Sequence, residues 1–302
     1  SQPMEYFSHT WDDVSKSIYD EGGYATELRK SNFFKDDIDG VLEEAANPEE
    51  KLILIYNFVK SKIAWNDYIG YTAENGIRKA YKEGTGNTGD INLLLTAMLR
   101  YAGLQAYPVL LSTKSNGVPV FPTRSGFNYV IVGVQLGEQI ILLDATDKNA
   151  APGELPDRAR NWQGRIIQDD GKSDWVYLLP NYKSSKWDYL NFQITEDLKI
   201  KGKCTGVYNR LAAKNHRDKY RGINQDNYIE MLQEGKGDIL ISALTKENEH
   251  QIGSDIKEIY QFEIHNGVEA IGDKLYINPL LFLAEDENPF KAEERTYPIY
   301  LN

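Results

Sequence analysis

The chain has 302 residues, of which 41% are hydrophobic, and a formal net charge of −11. This length is enough for a sizeable core and for one large or two ordinary domains. The acidic balance excludes partners that require a basic surface, such as nucleic acid or an anionic membrane. No apolar run reaches the ~18 residues of a membrane span, so we expect no direct membrane insertion by this segment. The single cysteine, Cys204, leaves no internal disulfide and no metal cluster.

The first part of the chain has a helical pattern. Thr10 is a suitable N-cap with Asp13 three residues on, and a second helical stretch is predicted around 38–46. Asn47-Pro48 combines a cap with a proline at the first helical position, which predicts a helix start. That helix should bury Leu52, Ile55, Tyr56, Val59 and Ile63.

A glycine-rich turn that runs into an amphipathic helix is the most informative stretch, at 84–103. Asn87 is the predicted N-cap, and Asp90 completes a capping box. Gly103 is a suitable residue just past the helix end. Thr88 should therefore be the first residue of a buried helix, where free N–H groups and the positive end of the helix dipole lie. That is where a fold would place an activated cysteine thiolate.

The hydrophobic period changes from helical to strand-like after this helix. Runs rich in Val, Ile and Leu occur at 106–113, 127–134 and 139–146. Leu136-Gly137-Glu138 is short enough to close a hairpin between the last two runs. Tyr129 and Asp144 would then be cross-strand neighbours, facing a helix that brings its N-terminus to both. Helices followed by a β-meander predict an α+β fold.

The remainder predicts a second, smaller β-rich domain with two helices. A strand pair is expected at 165–167 and 175–179, and 180–185 has linker composition. We predict an N-terminal helical extension at 1–46, a core at 47–183 and a C-terminal domain at 184–302. In that domain, strands are predicted at 192–195, 199–207, 238–244, 256–264 and 274–277, and helices at 211–220 and 225–233.

The order of these motifs resembles the transglutaminase-like superfamily, which has a papain-like core of helices packed on an antiparallel sheet. The most specific phrases are Gly86-Asn87-Thr88-Gly89-Asp90 and Leu143-Asp144-Ala145-Thr146. More narrowly, the chain resembles Bacteroidetes-type bacterial members in which a β-sandwich precedes the core and a β-rich domain follows it. The ending, with Tyr276–Pro279 and Asn288–Lys291, is similar to that last domain. The resemblance implies an N-terminal sandwich absent from this chain, and export to the periplasm.

The resemblance places Thr88 at the nucleophile, Tyr129 at the general base and Asp144 at the orienting carboxylate of a Cys-His-Asp triad. A threonine hydroxyl is a much weaker acid than a thiol and needs a base within reach. Tyrosine, with an ordinary pKa near 10, is protonated at neutral pH and is a poor base. A Tyr–Asp or Thr–Tyr hydrogen bond should replace the triad, and we predict no catalytic residue.

Two functions remain open. The first is a non-catalytic binding or scaffolding module for a peptide, protein or glycan, with Trp65, Asn87 and Asn128 as candidate cleft residues. The second is an amide hydrolase or acyl transferase with an atypical site. No cofactor or metal is expected, because no two of the four histidines share metal-ligand spacing. His216 and His250 are expected in solvent, and Cys204 is expected to be a packing residue.

Overall fold

The computed structural model describes residues 10–284. They form two compact units. The first contains the described residues up to Ser185 together with Asn209–Asp218 and His250–Ser254. The second contains Lys186–Tyr208, Lys219–Glu249 and the described residues from Asp255 onward. Within 10–284, no helix combines the length and apolar character needed to cross a bilayer.

The helices begin where capping chemistry predicts. Thr10 forms a capping box with Asp13. Asn47, which directly precedes Pro48, caps the next long helix: its side chain accepts a hydrogen bond from the backbone N–H of Glu50. The helices are Trp11–Glu21 (α1), Tyr24–Glu27 (α2), Lys35–Leu42 (α3), Pro48–Lys62 (α4), Ile77–Glu83 (α5), Thr88–Tyr101 (α6), Arg210–Tyr220 (α7) and Gln225–Gln233 (α8).

The strands of the first unit form a five-stranded antiparallel sheet and one short parallel pair. They are Ala64–Trp65 (β1), Thr85–Gly86 (β2), Gln105–Leu111 (β3), Tyr129–Leu136 (β4), Gln139–Leu143 (β5), Gln163–Ile167 (β6) and Ser173–Tyr177 (β7). The sheet order is β5-β4-β3-β6-β7, and β1 pairs with β2. The hairpin turn at Gly137 has a φ of 57°, a left-handed conformation that glycine adopts at low cost.

Both faces of this sheet are covered. Val130, Val132 and Val134 belong to the large cluster that contains the buried face of α6. The alternate residues Tyr129 and Ile131 belong to a smaller cluster with Val109 and Leu111, since successive side chains of a strand point to opposite faces. The centre of β4 is therefore buried on both sides.

The second unit is a four-stranded antiparallel sheet with order β10-β11-β9-β8. Its strands are Lys186–Ile194 (β8), Ile200–Tyr208 (β9), Ile239–Glu247 (β10) and Ile256–Ile264 (β11), and Glu269–Ile271 (β12) pairs with Lys274–Tyr276 (β13). The inward residues include Cys204, which is fully buried among Ile200, Tyr260 and Phe262. These elements and those of the first unit confirm the predicted α+β class.

Several predicted bounds shift. The helix expected to reach Ala46 ends at Leu42, and β8 begins at Lys186, six residues before the predicted strand. β8 has an alternating pattern, with Leu190, Phe192 and Ile194 inward, but polar residues interrupt its first half. β12 was not predicted. The motif Asn288–Lys291 lies outside the described residues.

His216 is buried, so its predicted solvent position is wrong. The helix around it is so polar that the sequence suggests a solvated surface. In the fold its charges find partners instead. Lys214 forms ion pairs with Asp147 and Asp218, both at 2.6 Å, and Arg217 donates to the carbonyls of Gln251 and Ser254. Paired charges allow a polar helix face to be buried.

Candidate functional site

The start of α6 is closed by a capping box. The Asn87 side chain accepts a hydrogen bond from the backbone N–H of Asp90 at 2.7 Å, and the Asp90 carboxylate accepts one from the backbone N–H of Asn87 at 3.1 Å. Thr88 is the first helical residue and has no exposed surface. The sequence pattern predicted this local geometry, because a capping box is a short-range feature.

A loop lies directly over this helix start. We call residues 66–76 the covering loop. The Thr88 backbone N–H donates to the Tyr68 carbonyl at 3.2 Å, and the Thr88 hydroxyl donates to the Gly70 carbonyl and accepts from the Gly70 N–H at 2.8 Å. Both polar groups that Thr88 presents at the helix start are therefore bonded to loop backbone.

The same loop contacts the rest of the first helical turn. The Asn87 side-chain amide donates to the Thr72 carbonyl at 3.2 Å, and the Asp90 carboxylate accepts from the Asn75 backbone N–H at 3.2 Å. A Cβ atom on Gly89 would lie 2.1 Å from the Thr72 carbonyl oxygen, far inside van der Waals contact. Glycine at 89 thus permits the close approach of the covering loop to α6.

Tyr129 begins β4, opposite Leu111 of β3. It lies on the sheet face that carries Ile131, whereas α6 packs on the face of Val130 and Val132. The sequence-based expectation that Tyr129 faces α6 is therefore wrong, because strand alternation places it on the opposite side. The register of β4 and β5 pairs Val132 with Leu143, so Asp144 follows the paired residues.

Asp144 lies at the end of β5 and joins the two faces. One carboxylate oxygen accepts from the Asn92 amide at 3.0 Å, from the Thr146 N–H at 3.1 Å and from the Thr146 hydroxyl at 2.7 Å. The other accepts from the Tyr129 hydroxyl at 2.8 Å. This carboxylate is fully buried, and its four donors offset the cost of removing a charge from water.

Arg158 completes the network from the far side. Its Nε donates to the Tyr129 hydroxyl at 3.0 Å, and its Nη2 donates to the Thr146 hydroxyl at 2.6 Å. The guanidinium also lies 4.1 Å from the centre of the Trp65 ring, a cation–π distance. Arg158 is therefore linked to Asp144 through the hydroxyl groups of Tyr129 and Thr146.

Electrostatics keep the Tyr129 phenol protonated. Burial raises the pKa of Tyr129 well above its usual value, and the Asp144 charge raises it further, while Arg158 opposes the shift. Burial alone would lower the pKa of Arg158, but Tyr129 and Asp144 outweigh it, so the pKa rises overall. At neutral pH the Tyr129 phenol is thus neutral and the Arg158 guanidinium is a cation.

The structure brings two of the three triad-equivalent residues into contact. Tyr129 and Asp144 share a hydrogen bond, and Thr88 bonds the covering loop. Among residues 10–284, no hydrogen bond joins Thr88 to Tyr129. Asn92, one helical turn after Thr88 on the same face of α6, contacts Asp144 in its place.

The three candidate cleft residues have structural partners. Trp65 is half-buried and donates from its indole to the Tyr68 carbonyl at 3.0 Å. The Asn87 side chain is committed to its cap and to Thr72. The Asn128 amide bonds the backbone N–H and the hydroxyl of Thr113, which closes the end of the β3–β4 pair. Their proposed ligand contacts stay predictions.

Sequence reasoning missed Asn92 and Arg158. The Asn92 amide is fully used, since it also donates to the Val130 carbonyl and accepts from the Ala145 N–H. An asparagine inside an otherwise apolar helix face was a usable signal, because buried polar groups are nearly always hydrogen-bonded. Arg158 offered no such signal, as it lies in an irregular segment rich in prolines.

No group of three or more potential metal ligands from His, Cys, Asp and Glu occurs in the described part of the chain. The triad-equivalent residues are buried and hydrogen-bonded, as residues that stabilise a fold are. Each triad-equivalent side chain is fully buried, and each polar atom of the three side chains has a protein partner.

Residues 37–138 match the family model of the Transglutaminase-like superfamily. Over these residues, about a third of the chain, the sequence is similar to that superfamily. The match contains Thr88 and Tyr129, and Asp144 follows shortly after its end.

Among solved structures, the chain is similar to a crystal structure of a "putative protease" from Parabacteroides distasonis ATCC 8503. Identity is 10%, the TM-score is 0.40, and the likeness covers 85% of this chain. The chain spans about half the length of that protein, 53%. At this TM-score the likeness by itself establishes neither fold nor activity. No curated protein matches the chain.

Proposed function

We propose that the transglutaminase-like domain is a non-catalytic binding or scaffolding module in which the triad-equivalent residues hold the fold together. The observation that carries this proposal is the bonding of Thr88. Its hydroxyl and its N–H are both bonded to the covering loop, and the residue is fully buried. A nucleophile must contact its substrate, and this hydroxyl contacts Gly70 instead.

The missing base supports the same conclusion. A hydroxyl nucleophile needs an adjacent base to accept its proton. Burial and the Asp144 charge raise the pKa of Tyr129 well above its usual value, so the phenol stays protonated at neutral pH and cannot accept the proton of Thr88. The phenol also donates a hydrogen bond to Asp144, which leaves that carboxylate bonded as a structural acceptor.

The Thr88 backbone N–H is not free for oxyanion stabilisation. In acyl transfer, backbone N–H groups at such a position stabilise the developing oxyanion and often lower the activation free energy by several kcal/mol. Here the Thr88 N–H donates to Tyr68. The nucleophile, the base and this donor are thus all committed to structural bonds. A peptide, protein or glycan ligand and export to the periplasm remain parts of the proposal that rest on the family resemblance.

An activity assay tests the catalytic half. The purified chain is incubated with a fluorescent amine and a glutamine-containing peptide, and separately with unmodified peptides to detect hydrolysis. We expect no turnover above buffer for the wild type or for Thr88→Ala. Thr96→Ala is the matched control, since Thr96 is buried on the same helix and its hydroxyl bonds the Asn92 carbonyl. Turnover that disappears in Thr88→Ala and survives in Thr96→Ala would overturn the proposal.

A stability measurement tests the structural half. Thr88→Ala removes the hydroxyl, so the Gly70 N–H of the covering loop loses its acceptor. This should cost about 1–3 kcal/mol of unfolding free energy. Thr88→Ser keeps the hydroxyl and should cost distinctly less. If Thr88→Ala is as stable as the wild type in urea unfolding, Thr88 does not hold the fold together and this half fails.

A further inference from the structure

A cavity of about 620 Å³ lies outside the triad-equivalent network. Two segments that are distant in sequence form its wall, one between α2 and α3 and one on α5. The lining residues are Arg29, Lys30, Ser31, Asn32, Phe33 and Arg78. Three of these six side chains are cationic, and none is acidic, in a chain whose net charge is −11.

Two of the cations lack an internal counter-charge. Arg29 and Arg78 are exposed, and neither side chain forms an ion pair or a hydrogen bond with another residue of 10–284. Lys30 pairs with Glu27, whose other carboxylate oxygen accepts from the Ile77 backbone N–H at 3.1 Å. Glu27 is therefore committed to joining the two segments, and the two guanidinium groups leave a local excess of positive charge.

The wall of the cavity is held in place by aromatic packing. Phe33 makes edge-to-face contacts with Phe34 at 5.0 Å and with Tyr81 at 5.4 Å between ring centres. The hydroxyl of Tyr81 in turn bonds the Asp37 carboxylate. Arg78 lies one turn before Tyr81 on α5, so the packing that fixes Phe33 also fixes the helix carrying Arg78.

Three lining residues have unbonded backbone donors. The N–H groups of Ser31, Asn32 and Phe33 donate to no acceptor among residues 10–284. Consecutive unbonded N–H groups favour anions, as in the concave backbone sites that bind phosphate. The cavity thus offers guanidinium and backbone donors beside one aromatic ring.

We propose that this cavity binds a small organic anion, whose carboxylate or phosphate group is held by Arg29 and Arg78. Guanidinium groups bind both oxyanions in a bidentate manner. The volume lies within the range of small-molecule sites, about 300–1,000 Å³, and exceeds what a bare phosphate fills. The Phe33 ring provides a surface for the uncharged part of the ligand. This inference does not depend on whether the triad-equivalent residues are catalytic.

Isothermal titration calorimetry of the whole chain at low ionic strength tests the site. The probes are glucose 6-phosphate, glucuronate, inorganic phosphate and uncharged glucose. We expect saturable binding of at least one of the two organic anions, and none of glucose. Binding of the phosphate ester alone identifies a phosphate ligand, and binding of glucuronate alone identifies a carboxylate. Added sodium chloride should weaken the interaction, because these charges are exposed to solvent.

Arg29→Gln and Arg78→Gln should each weaken binding by about tenfold or more, since each removes one charge-assisted contact. Arg221→Gln is the matched control, because Arg221 is also exposed and without a described partner but lies outside the cavity. Circular dichroism confirms folding of each variant. Three results would overturn the proposal: no saturable binding of either organic anion, binding of inorganic phosphate alone, or equal weakening by Arg221→Gln.

Discussion

The two sheets of this protein differ in the burial pattern along their strands. Along β4 of the first unit, every residue from Tyr129 to Val134 is buried. Along β11 of the second unit, buried residues alternate with half-buried or exposed ones, and β8 alternates between half-buried and exposed positions. A sheet covered on both faces has continuous apolar strands, whereas a sheet with one solvated face alternates.

This difference determines what a polar residue costs in each place. A polar group in the first sheet must find a protein partner, and Tyr129, Asp144 and Asn92 do so through each other. A polar group on the open face of the second sheet, such as Gln261, is exposed to solvent and needs no protein partner. A polar side chain is therefore needed for stability in the first sheet, whereas one on the open face of the second sheet can be replaced at little cost.

The largest expected effect comes from the centre of the buried network. Asp144→Ala leaves donors from Asn92, Tyr129 and Thr146 without their acceptor, and we expect a loss of about 3–5 kcal/mol of unfolding free energy. Urea unfolding followed by tryptophan fluorescence measures it. Gln261→Ala on the open sheet face is the control and should stay within about 0.5 kcal/mol of the wild type. Similar losses in both variants would remove the contrast between the two sheets.

The next effect depends on pH and concerns Lys60. Burial lowers the pKa of Lys60 to about 8, Lys148 adds to the shift, and Asp147 opposes it. Between pH 8 and the ordinary lysine value, the unfolded chain binds one more proton than the folded chain, so this group makes stability rise with pH. From pH 7 to 9.5, the wild type should gain about 2 kcal/mol relative to Lys60→Met.

Lys62→Met is the control for Lys60. Lys62 is exposed, so the wild type and Lys62→Met should have parallel pH profiles of unfolding free energy. The Lys60 cation bonds the Ala150 carbonyl at 2.7 Å, which is a neutral partner. Parallel profiles for the wild type and Lys60→Met would show that this lysine keeps an ordinary pKa in the folded chain.

An effect of similar size, with an informative sign, is expected at Gly89. Helix propensity alone predicts that Gly89→Ala stabilises α6 by up to about 1 kcal/mol. The added Cβ would lie 2.1 Å from the Thr72 carbonyl oxygen, so we expect the opposite, a loss of about 1–3 kcal/mol of unfolding free energy. Gly40→Ala in α3 meets no atom within 4 Å and should stabilise slightly. A stabilising Gly89→Ala would mean that the covering loop does not lie against α6.

The smallest effect should occur on the edge strand of the second sheet. Tyr189 is 61% exposed despite its size. Tyr189→Thr removes exposed apolar surface and keeps a residue that favours strands, so the unfolding free energy should change by less than about 0.5 kcal/mol. Thermal unfolding followed by circular dichroism measures this. A larger loss would indicate that the open face of this sheet is covered in solution.

Short-range chemistry made much of the fold predictable. The Asn87–Asp90 capping box, the Asn47-Pro48 helix start and the tight turn at Gly137 each depend on residues within a few positions. The site was less predictable, because its bonds join distant residues. Asn92 reaches Asp144, and Arg158 reaches Tyr129, only after the helix and sheet have packed. The face of Tyr129 depended on strand alternation relative to α6.

The covering loop has a consequence for motion. Because residues 68–75 bond the first turn of α6 at several points, the loop and the helix start should open together as one cooperative unit. Amide hydrogen exchange would then give one shared opening free energy for Gly70, Asn75 and Thr88, whose N–H groups donate across this contact. The rate of that single opening sets how often solvent, or any ligand, reaches the helix start.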